Sequence, residues 1–369
     1  MRKLRMDQIK PGMKLARSVY SSSRQVLLNS GVILNERYIK KLKELSVPAL
    51  YIHDVLTPEL EVDDVITDET RLNAICNVKK ILNKEIDNNI SQNIIIPSEV
   101  LGSINDIMDD LFSNKNIMVN LSDIRSTDDY VFGHSVNVCV LALITGMAMG
   151  YDKTRLHKLA IGAMLHDVGK IKVPQVILNK PGKLTAEEFD VIKNHSQWGY
   201  KILRGNMNIS ATSCVAAYQH HERYNGQGYP QGLSGSQIHE FAQIVGLVDM
   251  YDAITADRVY RKAFFPHEAF EMIAGSGDYL FSYEIVKAFL DHVAAYPAGT
   301  IVQLNTGEIA VVMETEKGMA LSPRVKVLYD SNGRNYKKPM DLHLIEFTDK
   351  MIIKVMEEDE IDTIRNNMA

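Results

Sequence analysis

The sequence has few features of a secreted, membrane-spanning or nucleic-acid-binding protein. Its three cysteines, Cys76, Cys139 and Cys214, lie far apart in the sequence and form no CxxC pair, which disfavours a disulfide framework and favours a reducing compartment. The N-terminal stretch MRKLRMDQIK leads into no apolar segment, and the longest apolar run, 136–150, is too short for a membrane span. A net charge of -5 and a pI near 6.1 show no basic excess. We therefore expect a cytoplasmic protein without nucleic-acid or membrane partners.

What the chain does contain is a globular composition, with 46% apolar and 24% charged residues over 369 positions. This length suits about two or three domains. Changes in residue pattern predict five segments: a small β-rich domain at 1–55, a linker with connecting helices at 56–120, an α-helical domain at 121–296, a small β domain at 297–356 and a frayed acidic tail at 357–369. The predicted fold class is multidomain α+β, with a central all-α bundle between two small β units.

The central segment is predicted to be helical throughout. Apolar residues recur at helical spacing, and prolines and glycines mark the joints between helices. The predicted helices cover 129–149, 154–168, 185–203, 209–223, 236–256, 266–275 and 282–294.

One stretch of this segment, AMLHDVGKI at 163–171, places His166 and Asp167 in the last turn of a buried helix. A carboxylate inside an apolar helix is costly unless a positive group meets it, and a metal cation would do so. For this pair alone, the simpler interpretation is a capped helix end with a core histidine.

The wider set of metal-type side chains favours the metal interpretation. Five segments offer imidazole or carboxylate donors, namely His134, His166-Asp167, His195, His220-His221 and Asp249. One ion needs three or four donors, so seven predict two ions, an arrangement that hydrolyses phosphate esters. These donors could converge only in a bundle interior, which spacing alone does not prove.

Other residues suit an anionic substrate. Lys170 lies three positions after Asp167, and Arg258 and Arg261 follow Asp249, although a solvated helix face would explain the arginines equally well. The loop HHERYNGQGYPQGLSG contains four glycines, which allow close backbone approach to a ligand, and Tyr229, which could stack on a base. The alternative is a long flexible connection.

Together these residues resemble the HD-GYP family within the HD phosphohydrolase superfamily. His166-Asp167 with Gly169-Lys170, His195, HHERYNGQGYP and VDMYDAITADRVYR match its pattern and spacing between residues 130 and 261. The resemblance implies an HD-type bundle that hydrolyses cyclic di-GMP, a bacterial second messenger, to pGpG and/or GMP. It also implies two divalent metal ions, iron or manganese, with a bridging hydroxide that attacks phosphorus.

The resemblance also assigns residues. Asp167 would bridge the metals and Lys170 would hold the scissile phosphate, so these two are the predicted catalytic residues. Lys170, Tyr229, Arg258 and Arg261 match substrate-contacting positions. The metal ligands would be His134, His166, Asp167, His195, His220, His221 and Asp249.

The chain departs from the family pattern twice. The usual DGxGYP begins here with Asn225, which shares the turn preferences of aspartate, so the loop should keep its shape. Some family members hold a third metal with a carboxylate four residues before the first histidine. Tyr130 stands there, with Asp129 one residue further back, which does not favour a third metal.

Two other functions stay open. The same centre could hydrolyse 3′,3′-cGAMP or another nucleotide phosphate, or the chain could be a receptor that binds cyclic di-GMP without cleaving it. The terminal β units are interpreted as packing or dimerisation modules, which leaves a homodimer open.

Overall fold

A computed structural model of the chain describes all residues except 22–24, 46, 48, 55, 57–59, 61–63, 83–93, 115–116, 120–129, 257–262 and 367–369. It contains two compact units. The first is formed by Met1–Asp64, Met118–Asp128 and Asp291–Ala369, and the second by Val65–Ile117 and Asp129–Leu290. Small sheets dominate the first unit and helices the second, which confirms the α+β fold class predicted from the sequence.

The N-terminal part of the first unit has two small antiparallel sheets and one helix. Strand β1 (Arg2–Arg5) pairs with β4 (Ala49–Ile52), and β2 (Val19–Tyr20) pairs with β3 (Val26–Leu28). Helix α1 (Glu36–Glu44) begins after Asn35, whose side chain accepts a hydrogen bond from the Tyr38 amide. Apolar side chains of these elements and of the segments that connect them, including Leu15, Leu34 and Leu50, form one buried cluster.

The C-terminal part of this unit is a five-stranded antiparallel sheet. Across the sheet, the order is β8 (Asn335–His343), β7 (Arg324–Tyr329), β6 (Ile309–Glu314), β5 (Ile301–Leu304) and β9 (Ile352–Val355). Gly307 (φ 85°) and Gly333 (φ 75°) adopt the left-handed region in the turns between β5 and β6 and between β7 and β8.

The frayed tail predicted after residue 356 is wrong for the part that the structure describes. Residues Glu358–Asn366 form helix α13. Its Ile361 is buried in the cluster that contains Ile301 and Ile309, and its Glu358 forms a buried ion pair with Arg2. These contacts order a segment whose acidic composition alone favours an extended tail.

The second unit contains helices α2 to α12. These are α2 (Asp68–Leu82), α3 (Ser98–Ser113), α4 (Tyr130–Ala148), α5 (Lys153–Met164), α6 (Gln175–Leu178), α7 (Ala186–Lys193), α8 (His195–Arg204), α9 (Ala211–Gln219), α10 (Glu240–Thr255), α11 (Pro266–Ala274) and α12 (Tyr283–Leu290). The centre of the bundle is formed by α4, α5, α9 and α10, and α2 packs on both α3 and α4. Among the described residues, no helix has both the length and the apolar content needed to cross a bilayer. The five-segment domain division stays a prediction.

Helix ends in this unit differ from the predicted ones in a way that matters for the site. The predicted helix at 185–203 is interrupted at Asn194, which caps the end of α7, and His195 begins α8. Helix α5 ends at Met164 rather than 168, and a short 3₁₀ helix follows at Val168–Lys172. A polar residue lies at each joint. Asn194 Nδ2 donates to the Asp190 carbonyl, and Asp167 forms an ion pair with Lys170.

Candidate metal centre

Three predicted ligand histidines lie where helices end. His166 follows α5, His195 follows α7 and His220 follows α9, and each Nδ1 donates to the carbonyl three residues earlier, at 2.8, 2.6 and 2.9 Å. Because a carbonyl can only accept, Nδ1 carries the proton in the neutral ring and Nε2 presents a lone pair to the interior. The helix C-termini add partial negative charge at the same place.

His195, His220 and His221 form what we call the imidazole group. Their nearest ring nitrogens lie within 4.8 Å of one another, and the Nε2 atoms of His195 and His220 are 3.3 Å apart. Burial lowers the pKa of all three rings, so they are neutral at pH 7. Two lone pairs facing each other at this distance repel unless a cation lies between or beside them.

His134, His166 and Asp167 form a second cluster, the mixed group, whose ligand atoms also lie within 4.8 Å of one another. His134 Nε2 is 3.1 Å from Asp249 Oδ1, and its Nδ1 donates to Asp252 Oδ2 at 2.7 Å. Burial alone would lower the pKa of His134, but the two carboxylates raise it to about 9. Without a cation, His134 therefore carries a proton at neutral pH.

Asp167 joins the two groups. Its Oδ1 lies 3.4 Å from His195 Nε2, and its Oδ2 lies 3.3 Å from His166 Nε2 and 2.5 Å from Lys170 Nζ. The residue is only 2% exposed. Burial would raise the pKa of this carboxyl, but Lys170, His166 and His195 hold it well below its usual range. One ionised carboxylate thus faces both groups, as a bridging ligand would.

The buried donors fit divalent metal ions. His166 Nε2 and Asp167 Oδ1 are buried without a hydrogen-bond partner in the described part of the chain. Buried polar atoms are normally paired, and leaving them unpaired costs about 1–3 kcal/mol each. Imidazole nitrogens and carboxylate oxygens are also the donors that divalent transition metals accept. The two groups can therefore hold divalent cations.

Two glycines allow helices to approach the histidine backbone. A Cβ at Gly169 would lie 1.9 Å from the carbonyl oxygen of His195, and one at Gly246 would lie 2.3 Å from that of His220. Neither distance is tolerable, so only glycine lets the 3₁₀ helix and α10 pack here. The separation of the ligands depends on both glycines.

The glycine-rich loop is held from inside by a buried acid. Glu222, 2% exposed, accepts hydrogen bonds from the backbone amides of Gln231 and Leu233 at 2.7 and 2.9 Å. The Tyr229 ring stacks on His221, with centroids 4.6 Å apart. At the departure from the family motif, Asn225 Oδ1 accepts from the Gln227 amide at 3.0 Å, a turn that aspartate would also make.

The structure brings together all seven side chains predicted as metal ligands. Lys170 lies beside them through Asp167, and Tyr229 lies beside them through His221. Their assignment as ligands and substrate contacts stays a prediction. Three residues named from the sequence lie outside the described residues. They are Arg258 and Arg261, predicted to contact substrate, and Asp129, considered as a ligand of a third metal.

Sequence reasoning did not find three polar residues that support the site. Asp252 accepts from both His134 and Asn137, and Glu222 holds the loop. Asp252 could have been found from its spacing of three residues from Asp249 on one helix. Glu222 could have been found from its position directly after the paired histidines. Asn137 lies three residues after His134 on α4.

Family models match two parts of the chain. Residues 117–281 match an HD domain, and residues 301–364 match a KOW domain associated with HD domains. The first match contains every side chain of the two groups, and the second covers the five-stranded sheet and most of α13.

The chain is similar to known proteins over part of its length. The chain is 35% identical over 231 residues to a cyclic di-GMP phosphodiesterase of Pseudomonas aeruginosa, covering 63% of this chain and 56% of the relative. It is 37% identical over 183 residues to a cyclic di-GMP phosphodiesterase of Thermotoga maritima, covering 49% of each. It is 33% identical over 154 residues to a 3′3′-cGAMP-specific phosphodiesterase of Vibrio cholerae, covering 42% of this chain and 35% of the relative. The chain thus spans about half the length of the first two.

Three features occur together in the segment that matches an HD domain. They are helices α4 to α11, the His-Asp pair followed by Gly169 and Lys170, and the loop that ends in Gly228, Tyr229 and Pro230. Residues 117–281 thus match an HD domain, and the chain is similar to proteins named as cyclic di-GMP phosphodiesterases.

Proposed function

We propose that the chain is a cytoplasmic, metal-dependent phosphodiesterase that hydrolyses cyclic di-GMP to pGpG and/or GMP. The observation that carries the proposal is Asp167, a buried and ionised carboxylate with one oxygen toward each of two donor groups. Relatives named as cyclic di-GMP phosphodiesterases support the substrate.

In this proposal the protein holds two divalent cations, iron or manganese, with His195, His220 and His221 at one and His134, His166 and Asp249 at the other. Asp167 contributes to both. Two such cations would polarise a phosphate ester and activate water. A third cation is not part of the proposal.

The remaining site residues bind and orient the substrate. Lys170 is 30% exposed while its ammonium touches Asp167, so it can contact a phosphate oxygen at the edge of the centre. Tyr229 is half-buried on His221, and its phenol ring can contact the adjoining ribose or base. The side chains Arg258 and Arg261 are proposed as contacts for the second phosphate or a base.

A second candidate substrate is 3′,3′-cGAMP, which is favoured by the cGAMP-specific relative. Both substrates share the scissile 3′–5′ phosphodiester, so the centre would act on either. The difference lies in one purine, and the residues that contact the bases decide between them.

The test is anaerobic purification of the full chain, metal analysis, and incubation with each dinucleotide followed by chromatography. We expect about two iron or manganese ions per chain, and faster loss of cyclic di-GMP than of cGAMP. Faster loss of cGAMP would make 3′,3′-cGAMP, and not cyclic di-GMP, the preferred substrate. Intact dinucleotides with two ions bound would contradict the phosphodiesterase, and saturable binding of cyclic di-GMP without metal would instead support a receptor.

A further inference from the structure

A chain of hydrogen bonds connects helix α2 with the metal-site histidine His134. Arg71 on α2 donates from Nη1 to Asn137 Oδ1 at 2.7 Å, and Asn137 Nδ2 donates to Asp252 Oδ1 at 2.9 Å. The other carboxylate oxygen of Asp252 accepts from His134 Nδ1 at 2.7 Å. All four residues belong to the helical unit, but only Arg71 lies outside the HD-domain match at 117–281.

The chemistry of the end groups fixes the orientation of every group between them. A guanidinium can only donate and a carboxylate can only accept, so the Asn137 amide must point its oxygen at Arg71 and its nitrogen at Asp252. For the same reason His134 must donate from Nδ1 to Asp252. Its Nε2 is then directed at Asp249 Oδ1, 3.1 Å away, where the proposed ion would bind.

Burial makes this series of hydrogen bonds rigid. His134 and Asn137 are 5% exposed and Asp252 is 1% exposed, so water does not compete for their polar atoms. A carboxylate at such depth needs donors on its oxygens, and Asn137 is one of them. If Arg71 were lost, the Asn137 amide could rotate and turn its oxygen toward Asp252. The support for the His134 ring would then weaken.

We propose that Arg71 is a positioning residue for His134 and acts through Asn137 and Asp252. A helix that precedes the HD domain therefore contributes to the affinity and geometry of the metal centre. The inference rests on the proposed role of His134 as a metal ligand. It gives α2 a function beyond packing on α4.

The first test measures metal binding to the full chain by competition with a chelator, with Mn²⁺ and Co²⁺ as probes. Loss of a residue that orients a ligand through its outer hydrogen bond weakens metal binding by about 10-fold or more. We expect Arg71→Ala to lower the affinity for the ion at His134 by about 10-fold. Arg71→Lys, which can still donate to Asn137, should recover most of this affinity. Lys80→Ala, an exposed cation on the same helix, is the matched control and should bind like wild type.

The second test separates positioning from packing. With Co²⁺ bound, the visible d–d bands report ligand geometry, and we expect them to change in Arg71→Ala and to return in Arg71→Lys. A double-mutant cycle with Asn137→Ala should be strongly non-additive, because the second substitution removes the group through which Arg71 acts.

Three outcomes would overturn the inference. These are unchanged metal affinity in Arg71→Ala, an unchanged cobalt spectrum despite weaker binding, and additive effects of the two alanine substitutions. Each of them presupposes that the wild-type chain binds metal. A wild-type chain without metal would instead overturn the proposed function, so the two failures can be told apart.

Discussion

The imidazole group and the mixed group share Asp167 but differ in charge. His195, His220 and His221 are neutral because burial lowers the pKa of each, whereas His134 lies between two carboxylates that raise its pKa to about 9. A cation can enter the first group without displacing a proton, but it must displace one from the second. Two adjacent sites in one centre should therefore be loaded under different conditions.

The largest expected effect comes from the residue that the groups share. Asp167→Ala removes the carboxylate that faces both, so both ions should be lost and hydrolysis of cyclic di-GMP should fall by about 1000-fold or more. Metal analysis and product chromatography measure this. Asp106→Ala, an exposed carboxylate on α3, is the control and should behave as wild type. Retained hydrolysis in Asp167→Ala would contradict a shared ligand.

The next effect separates the groups. His220→Ala should empty the imidazole group and His134→Ala the mixed group, so that each variant keeps about one of two ions. Metal analysis after dialysis against a weak chelator would show this, with His157→Ala on α5 as the control. If either substitution removed both ions, the groups would be a single cooperative site and the comparison would fail.

A smaller effect concerns the spacing between the groups. In Gly169→Ala the new Cβ would meet the His195 carbonyl at 1.9 Å, so the 3₁₀ helix that follows Asp167 must move away from α8. We expect a loss of about 1–3 kcal/mol of unfolding free energy, together with weaker metal binding. In Gly102→Ala nothing lies within 4 Å of the new Cβ. Because Gly102 lies inside α3, this control should gain about 0.5–1 kcal/mol. Thermal and denaturant unfolding would measure the change in unfolding free energy of both variants. Equal changes in Gly169→Ala and Gly102→Ala would refute the close contact at Gly169.

The last expected effect is a pH dependence of metal affinity. Below a pKa of about 9, metal-free His134 is protonated and competes with the cation. Affinity in His220→Ala, which keeps the mixed group, should therefore rise by up to about 10-fold per pH unit toward pH 9 and then level off. In His134→Ala, which keeps the imidazole group, affinity should be nearly constant between about pH 7 and 9 because these rings are already neutral. Parallel pH profiles in the two variants would show that the groups do not differ in this way.

Much of the fold follows from local sequence signals. Apolar spacing predicts the bundle helices because their buried faces repeat every three to four residues, and a change in residue pattern predicts the small C-terminal β domain. The sequence did not predict that the helix expected at 185–203 is interrupted at Asn194, or that residues after 357 form α13. At the break, His195 contacts Asp167 and His220, and α13 makes contacts through Ile361 and Glu358. These partners are all distant in the sequence.

The site shows the same limit. Histidines and aspartates are unusual on apolar helices, so the seven predicted ligands stand out in the amino-acid sequence itself. The hydrogen bonds that connect Arg71 and Asn137 to Asp252 do not stand out, although Asp252 itself lies three residues after Asp249 on the same helix. Arg71 and Asn137 are 66 positions apart, and Asn137 and Asp252 are 115 apart, so no local pattern connects them. Arginine and asparagine on helices are also ordinary surface residues.

The carbonyls that hold His166, His195 and His220 belong to the last turns of α5, α7 and α9. They exist as soon as those helices form, so the rings are oriented before any ion arrives. Occupancy can then be acquired after synthesis, and one ion can be exchanged for another without unfolding the chain. If the proposed function holds, the metal that the protein carries would follow the supply around it, and a change in that supply would alter the metal centre directly.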